Sequence, residues 1–266
     1  MAIMNKQYFF LNGVPRAGNT LLSVILNQNP DMQVTANSQT PNLLHRVYSL
    51  KFEELFRIFP DHNSLDNVIE AIIPSYYKDW NYKYIIDRST VGIEDILILL
   101  RKYLKNPLKI IVLDRALDEI VASFIRVHKN WNLPAQEQLK LLLQPNSDFM
   151  KSVSSINNLS RPEYKDITHF ITYNDLVNDP KKTINGIYEF LEVPQYNHYF
   201  NDLEKFTANG LSYNEEWYLP TKVEVDLHDV KTEDISFTKH NQLPENILKM
   251  VQNVDNFSGR TNGTGA

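Results

Sequence analysis

Phe9-Phe10-Leu11-Asn12-Gly13-Val14-Pro15-Arg16-Ala17-Gly18-Asn19-Thr20-Leu21-Leu22 is where the reading of this chain begins. Its first half is apolar nearly throughout, as a strand covered on both faces is. A turn flanked by Gly13 and Gly18 follows, with Pro15 and Arg16 inside it, and a helical pattern then runs from Ala17 to Asn27. In such a strand–turn–helix corner the backbone N–H groups point inward and the helix dipole adds positive potential. Gly13 and Gly18 can take conformations that other residues avoid. The corner reads as an anion nest.

Working outward, Tyr8–Val14 is the first of five β-rich runs; the others are Met32–Thr35, Tyr84–Asp87, Lys109–Asp114 and His169–Tyr173. Helical patterns separate them, at Ala17–Asn27, Asn42–Phe59, Ser64–Tyr77, Ile93–Leu104, Asp118–Lys129 and Lys181–Leu191. Short strands alternating with longer helices predict βαβ units on a parallel sheet. The fold class is α/β: a P-loop-like three-layer fold with a central parallel sheet of about five strands flanked by helices. Residues 1–257 read as a single domain. It carries an all-helical insertion over about 134–160, interrupted at Gln144-Pro145-Asn146, and an irregular, aromatic region over about 192–242. Residues 258–266 read as a flexible tail, being small and polar.

Composition narrows the function classes. The chain has 266 residues, 42% hydrophobic and 22% charged, which excludes a disordered or collagen-like protein. Its net charge of −5 argues against a nucleic-acid coat or an anionic-membrane binder, which are usually basic. With no cysteine there is no disulfide scaffold, no zinc–thiolate site and no thiol nucleophile. No apolar stretch reaches the length of a membrane span, so a cytoplasmic protein is the default expectation.

Spacing sharpens the loop. Gly13 and Gly18 stand as in a Walker A loop and Thr20 takes the Ser/Thr place, but Asn19 stands where the lysine would be. Asparagine cannot supply that charge to a triphosphate; the loop's cation is Arg16 instead. A second anchor lies at the end of the fourth strand, where Arg115 is followed eight residues later by Ser123, two turns into the next helix. An arginine fork and a hydroxyl can bond one phosphate together. Asp114 also fits a Walker B aspartate, which keeps a P-loop nucleotide kinase or NTPase open as a rival; a catalytically silent nucleotide-binding protein is another.

Taken together these residues resemble a family. Gly-Val-Pro-Arg-Ala-Gly-Asn-Thr-Leu-Leu is similar to the 5′-phosphosulfate loop of sulfotransferases that use 3′-phosphoadenosine 5′-phosphosulfate (PAPS), in the Pro-Arg-Ser-Gly-Thr-Thr form of tyrosylprotein sulfotransferases and bacterial relatives. Arg115 and Ser123 match the family's 3′-phosphate motif. Tyr173-Asn174-Asp175-Leu176, with Asp179-Pro180 and Phe190-Leu191 after it, resembles a further family segment. Leu26–Pro30, Tyr84–Ser89, His198–Phe200 and Leu227–Lys231 look like segments of a bacterial or phage subgroup. The chain departs from the pattern at Asn19, at Asp114, and at Ala36, Asn37 and Ser38, where no carboxylate stands as the tyrosylprotein enzymes' base.

The resemblance implies a sulfotransferase that moves a sulfuryl group from PAPS to a hydroxyl or amine by direct in-line transfer, without a metal. It implies cofactor-binding roles for Pro15, Arg16, Ala17, Gly18, Asn19, Thr20 and Leu21 in the loop, for Arg115, Ser123 and Lys231 at the 3′-phosphate, and for Tyr173 near the adenine. Catalytic roles fall to Arg16, Arg88 and His228. His228 leads a pool of candidate bases that includes His45, Asp87 and His198, because histidine titrates near neutrality. The acceptor is a small molecule or a glycan or peptide, with no nucleic acid and no membrane as partner. Residues 192–232 would face the ligand. The aromatics Tyr76, Tyr77, Trp80, Tyr82 and Trp217 receive no role.

Overall fold

The computed structural model describes residues 5–127, 133–212 and 243–258. Its first half runs β1 (Gln7–Gly13), α1 (Asn19–Leu26), β2 (Met32–Val34), α2 (Thr40–Ser49), α3 (Glu54–Ile58), α4 (Asn63–Tyr76), β3 (Tyr84–Arg88) and α5 (Glu94–Tyr103). The second half runs β4 (Ile110–Asp114), α6 (Leu117–Val127), α7 (Ala135–Leu142), α8 (Asp148–Leu159), β5 (Thr168–Thr172), α9 (Tyr173–Asn178), α10 (Pro180–Leu191) and α11 (Glu245–Ser258). The strands form one sheet in the order β2-β3-β1-β4-β5, and every pairing is parallel. The predicted α/β fold with a five-stranded parallel sheet is what forms.

Burial explains the sheet. Tyr8 to Asn12 are buried one after another, as are Ile110 to Leu113, so both faces of β1 and β4 are covered. Phe10, Leu11, Ile85, Ile86 and Ile110 are fully inaccessible to solvent. Each such side chain contributes roughly 1.5–3 kcal/mol by leaving water. No helix among the described residues is long and apolar enough to cross a membrane.

The order of the strands fixes where a ligand can sit. The chain leaves β1 toward β2 on one side and leaves β4 toward β5 on the other. The loops after these two neighbouring strands therefore diverge and open a crevice at their C-terminal ends, the position open α/β sheets use for ligands.

Three elements differ from the sequence reading. The pattern over Asn42–Phe59 breaks into α2, a 3-10 turn at Leu50–Phe52 and α3, because Glu53 is extended at φ −73°, ψ 146°. Tyr173, expected at a strand end, begins α9 instead. Thr172 Oγ1 accepts from the Asp175 N–H at 3.0 Å and the Asp175 carboxylate accepts from the Thr172 N–H at 3.4 Å, a capping box that starts the helix there. The aromatic region over 192–232, expected to face the ligand, runs in its described part, 192–212, along the opposite edge of the sheet. There Gln28 bonds Tyr199 twice, and the Thr207 carbonyl accepts from Asn27 and Gln33.

Between β4 and β5, α8 is tied to the sheet by a buried polar knot. Asn12 Oδ1, on β1, accepts from the Val91 N–H at 3.0 Å and from the Ser155 hydroxyl of α8 at 2.8 Å. Ser155 Oγ in turn accepts from the Gly92 N–H at 2.8 Å. A Cβ on Gly92 would stand 2.3 Å from the Ser155 carbonyl and 2.8 Å from Leu159 Cγ. Gly92→Ala must push α8 off the sheet, an overpacking that costs about 1–3 kcal/mol. The thermal midpoint should fall by about 2–12 °C for a chain of this size; an unchanged midpoint would sink the claim that this contact is tight.

Candidate nucleotide-binding and transfer site

The loop after β1 is shaped from inside. Asn19 is buried, and its amide Nδ2 donates to the Val14 carbonyl at 2.8 Å. The Ala17 N–H donates to the same carbonyl at 3.0 Å. A Cβ at Gly13 would stand 2.1 Å from Asn19 Oδ1, so the Asn19 side chain occupies room that only glycine leaves. The Asn19 side chain thus belongs to the loop's interior. The Ala17 N–H is likewise engaged within the turn. The donors that α1 leaves open are the N–H groups of Asn19, Thr20 and Leu21, which have no acceptor within the helix; the first intrahelical bond runs from Leu22 to the Gly18 carbonyl.

Arg16 sits in the left-handed region at φ 72°, and Gly18 at φ 103°. A non-glycine residue there stores strain of the order of 1–3 kcal/mol that the surroundings must hold. Holding contacts come from the far side of the crevice. Arg115 Nη1 donates to the Arg16 carbonyl at 3.3 Å, and Arg16 Nε donates to Ser123 Oγ at 3.5 Å.

Arg115 stands at the C-terminal end of β4 and is 8% exposed; Ser123, on α6, is 3% exposed. Neither is a solvated surface group. Arg115 Nε pairs with Glu119 Oε2 at 2.9 Å, one helical turn into the next element. Its guanidinium carbon lies 3.9 Å from the centre of the Tyr173 ring. That ring presses on Gly18, where a Cβ would come within 2.5 Å of it. Arg115 Nη2 is buried and makes no hydrogen bond among the described residues. The crevice therefore holds two guanidinium groups, a buried hydroxyl, an aromatic face, the open N–H groups of a helix start and one unsatisfied buried donor. Such a set suits an anion with a planar ring beside it. The sequence singles out Arg16, Arg115, Ser123 and Tyr173 one by one, and the fold brings all four together. Glu119 escapes the sequence reading, though its spacing of four from Arg115 is the ordinary helical ion-pair signal. Pro15 is half-buried at the loop's outer turn, and Thr20 and Leu21 are half-buried on the first turn of α1.

A second polar assembly sits beside the crevice at the end of β3. The Asp87 carboxylate is buried and accepts from four hydroxyls: Ser38 at 2.8 Å, Tyr77 at 2.6 Å, Ser89 at 2.6 Å, and Thr40. Burial, with the Asp87 charge second, drives the Tyr77 phenol far above its ordinary value, so it stays a donor. These bonds fasten the turn after β2 to the end of β3. Arg88 completes the clasp through its backbone, donating to Thr35 Oγ1 at 2.8 Å and accepting from the Ser38 N–H at 2.8 Å. Arg88 pairs in register with Leu11 of β1, so it lies on the same edge as the loop.

The candidate bases separate. Asp87, wholly engaged by hydroxyls, acts as a structural acceptor and is corrected from the base pool. His45 lies on α2, exposed, 3.9 Å from the Asp95 carboxylate. His198 lies at the opposite edge from the loop, with Nε2 2.9 Å from the Tyr188 hydroxyl, and cannot serve the crevice. His228, Lys231 and Trp217 lie outside the described residues. Tyr77 is core, with Tyr76 and Trp80 edge-on to it at 4.9 Å each, while Tyr82 borders a cavity of about 740 Å³ on the far edge.

The comparisons agree with this fold. A model of the sulfotransferase domain family matches residues 6–257. Among solved structures, the sulfotransferase domain from the Synechococcus PCC 7002 olefin synthase superposes with a TM-score of 0.53 at 19% identity, covering 96% of each chain. A sulfotransferase from Alicyclobacillus acidocaldarius gives 0.50 at 11% identity, covering 97% of this chain and 93% of its own. A retinol dehydratase in a complex with retinol and PAP gives 0.50 at 15% identity, covering 99% of this chain and 85% of its own. At these identities the likeness is one of fold. No curated protein sequence matches the chain.

His198 supplies a pH test of its placement. Burial holds its imidazole below the ordinary histidine value, and the same holds for His169. The unfolded chain takes up a proton below about pH 6.5, where the folded chain resists it, so stability is full above that pH and declines as pH falls. The thermal midpoint should drop between about pH 7 and pH 5, and His198→Gln should shrink the drop. An identical drop in the variant would show that His198 is not buried as described.

Proposed function

This chain belongs to the sulfotransferase domain family, and on that premise we propose that the donor it uses is PAPS, bound in the crevice between β1 and β4. The observation that carries the proposal is the meeting of Arg16, Arg115, Ser123 and Tyr173 at the point where the strand order reverses. The enzyme moves a sulfuryl group to an acceptor; PAPS supplies that group on a phosphosulfate linkage, and in-line attack by an acceptor hydroxyl or amine forms the new bond to sulfur while adenosine 3′,5′-bisphosphate leaves.

The chain's residues then divide the work of positioning and charge stabilisation. The N–H groups of Asn19, Thr20 and Leu21, with the Thr20 hydroxyl, hold the 5′-phosphate. Arg16 faces the leaving oxygens, where negative charge grows. Arg115 and Ser123 hold the 3′-phosphate, and the unsatisfied Arg115 Nη2 supports this fit. A clamp built for that phosphate discriminates against ATP, because without it buried donors stay unpaired. Tyr173 offers its ring to the adenine. Arg88, on the neighbouring strand, reaches the sulfonate, and Lys231 adds to the 3′-phosphate contacts. His228 takes the acceptor's proton, a role assigned from its place in Leu227-His228-Asp229-Val230-Lys231. The acceptor is a small molecule or a glycan or peptide that bears the hydroxyl or amine.

Thermal unfolding with adenosine 3′,5′-bisphosphate tests this directly. Ligand at about 100 times its dissociation constant stabilises by about 2.7 kcal/mol, which moves the midpoint by at least about 5 °C. The shift should appear with the bisphosphate, be absent with ATP and Mg²⁺, and vanish in Arg115→Ala. A shift with ATP and Mg²⁺ alone would overturn the PAPS reading.

A further inference from the structure

We infer that the exposed apolar face at Phe52–Phe59 is a two-fold interface, covered in solution by a second copy of this chain. Every residue from Phe52 to Ser64 is exposed. Among them Phe52 is 65% exposed, Leu55 78%, Ile58 72% and Phe59 50%, a density of large apolar groups that soluble monomers rarely leave in water. Phe56 and Phe59 also wall a groove of about 170 Å³ against Leu65 and Val68 of α4.

The occupant follows from the order of residues. Phe52-Glu53-Glu54-Leu55 is followed by Phe56-Arg57-Ile58-Phe59. Read outward from the bond between Leu55 and Phe56, the two halves match everywhere except where Glu53 stands opposite Ile58. Leu55 mirrors Phe56, Glu54 mirrors Arg57 with opposite charge, and Phe52 mirrors Phe59. Neighbouring charges are already engaged. Lys51 Nζ pairs with Asp66 at 2.6 Å, and Asp61 accepts from the Asn63 and Ser64 N–H groups at the start of α4.

Two copies laid antiparallel across an axis at the Leu55–Phe56 bond would set Glu54 of each against Arg57 of the other, and phenylalanine on phenylalanine at both ends. A parallel arrangement would set Glu54 on Glu54 and Arg57 on Arg57. Self-complementarity of this kind is what an isologous two-fold contact requires. The charge pairs set the direction, and apolar burial supplies the hold. None of the crevice residues belongs to this face, so it can be altered without touching the nucleotide site.

Light scattering on a size-exclusion column, across a dilution series of the full chain, reads the association. A dimer that dissociates on dilution is expected. Ile58→Asp should leave a folded monomer whose thermal midpoint matches that of the unaltered chain diluted to monomer; if that variant fails to fold, Arg57→Glu should weaken the dimer and Glu54→Arg added to it should restore it. Because the chain has no cysteine, Leu55→Cys puts a single thiol beside the axis and should cross-link the dimer on oxidation. Leu211→Cys, 71% exposed elsewhere, should not cross-link. A monomer at every concentration, a dimer that none of these changes weakens, or binding to phospholipid vesicles without self-association would each overturn the inference.

Discussion

The crevice depends on one side chain that never faces it. Asn19 folds back under the loop, bonds the Val14 carbonyl and fills the space beside Gly13. That single contact turns the chain tightly enough for Gly18 to start α1 in the left-handed region and for Arg16 to stand at φ 72°. In a Walker loop this position sends a lysine outward to a triphosphate. Here it is an internal brace, and the cation is supplied from Arg16 in the turn and Arg115 across it. The difference is one of geometry as well as charge. A lysine offers a mobile point charge, whereas two guanidinium forks, held by Ser123, Glu119 and Tyr173, present donors in fixed planes.

Both buried polar knots join elements that the apolar core leaves independent. Asn12 interrupts an apolar strand, and its carbonyl oxygen collects donors from the segment after β3 and from α8. Asp87 interrupts another and collects hydroxyls from the turn after β2, from α2 and from Tyr77. Burying a carboxylate is costly unless its oxygens are satisfied, and four hydroxyls satisfy these. Hydrophobic contact alone would let the turn after β2 slide on β3; directional bonds fix it, and Arg88 with it.

The strands, their parallel arrangement and the strand–turn–helix corner with the arginine and serine across from it were legible because each rests on a local pattern: apolar runs, glycine spacing, and an arginine eight residues before a serine. What was not legible depends on contacts far apart in sequence. The break at Leu50–Glu53 is invisible to a period that continues to Phe59. Asp87 looked like a free carboxylate because its donors, Ser38, Thr40 and Tyr77, are brought to it only by the sheet. His198 shared its residue type with the candidate bases, yet the path of the chain after α10 carries it to the opposite edge, beside Tyr188 and Asn29. Spacing finds residues that act within one turn of chain, and topology decides which distant ones share a face.

Two arginines in one crevice raise a question of charge. Like charges this close repel, and burial strengthens the repulsion because the local dielectric is low. Glu119 lies against Arg115 and cancels part of its charge. The Tyr173 face and the Arg16 carbonyl add weaker, neutral compensation on the side toward the loop. Arg115 is thus a rigid and partly neutralised holder; on the proposed PAPS reading that suits a 3′-phosphate, whose charge would be the same before and after sulfuryl transfer. Arg16 is fixed by other means: its backbone is locked in the left-handed region by the turn, and its side chain bonds the Ser123 hydroxyl. In the proposed transfer the leaving oxygens would gain charge only as the bond to sulfur breaks. A guanidinium already set in place by the turn would need no reorganisation at that moment, so in the proposed role Arg16 would stabilise the growing charge more than the starting state.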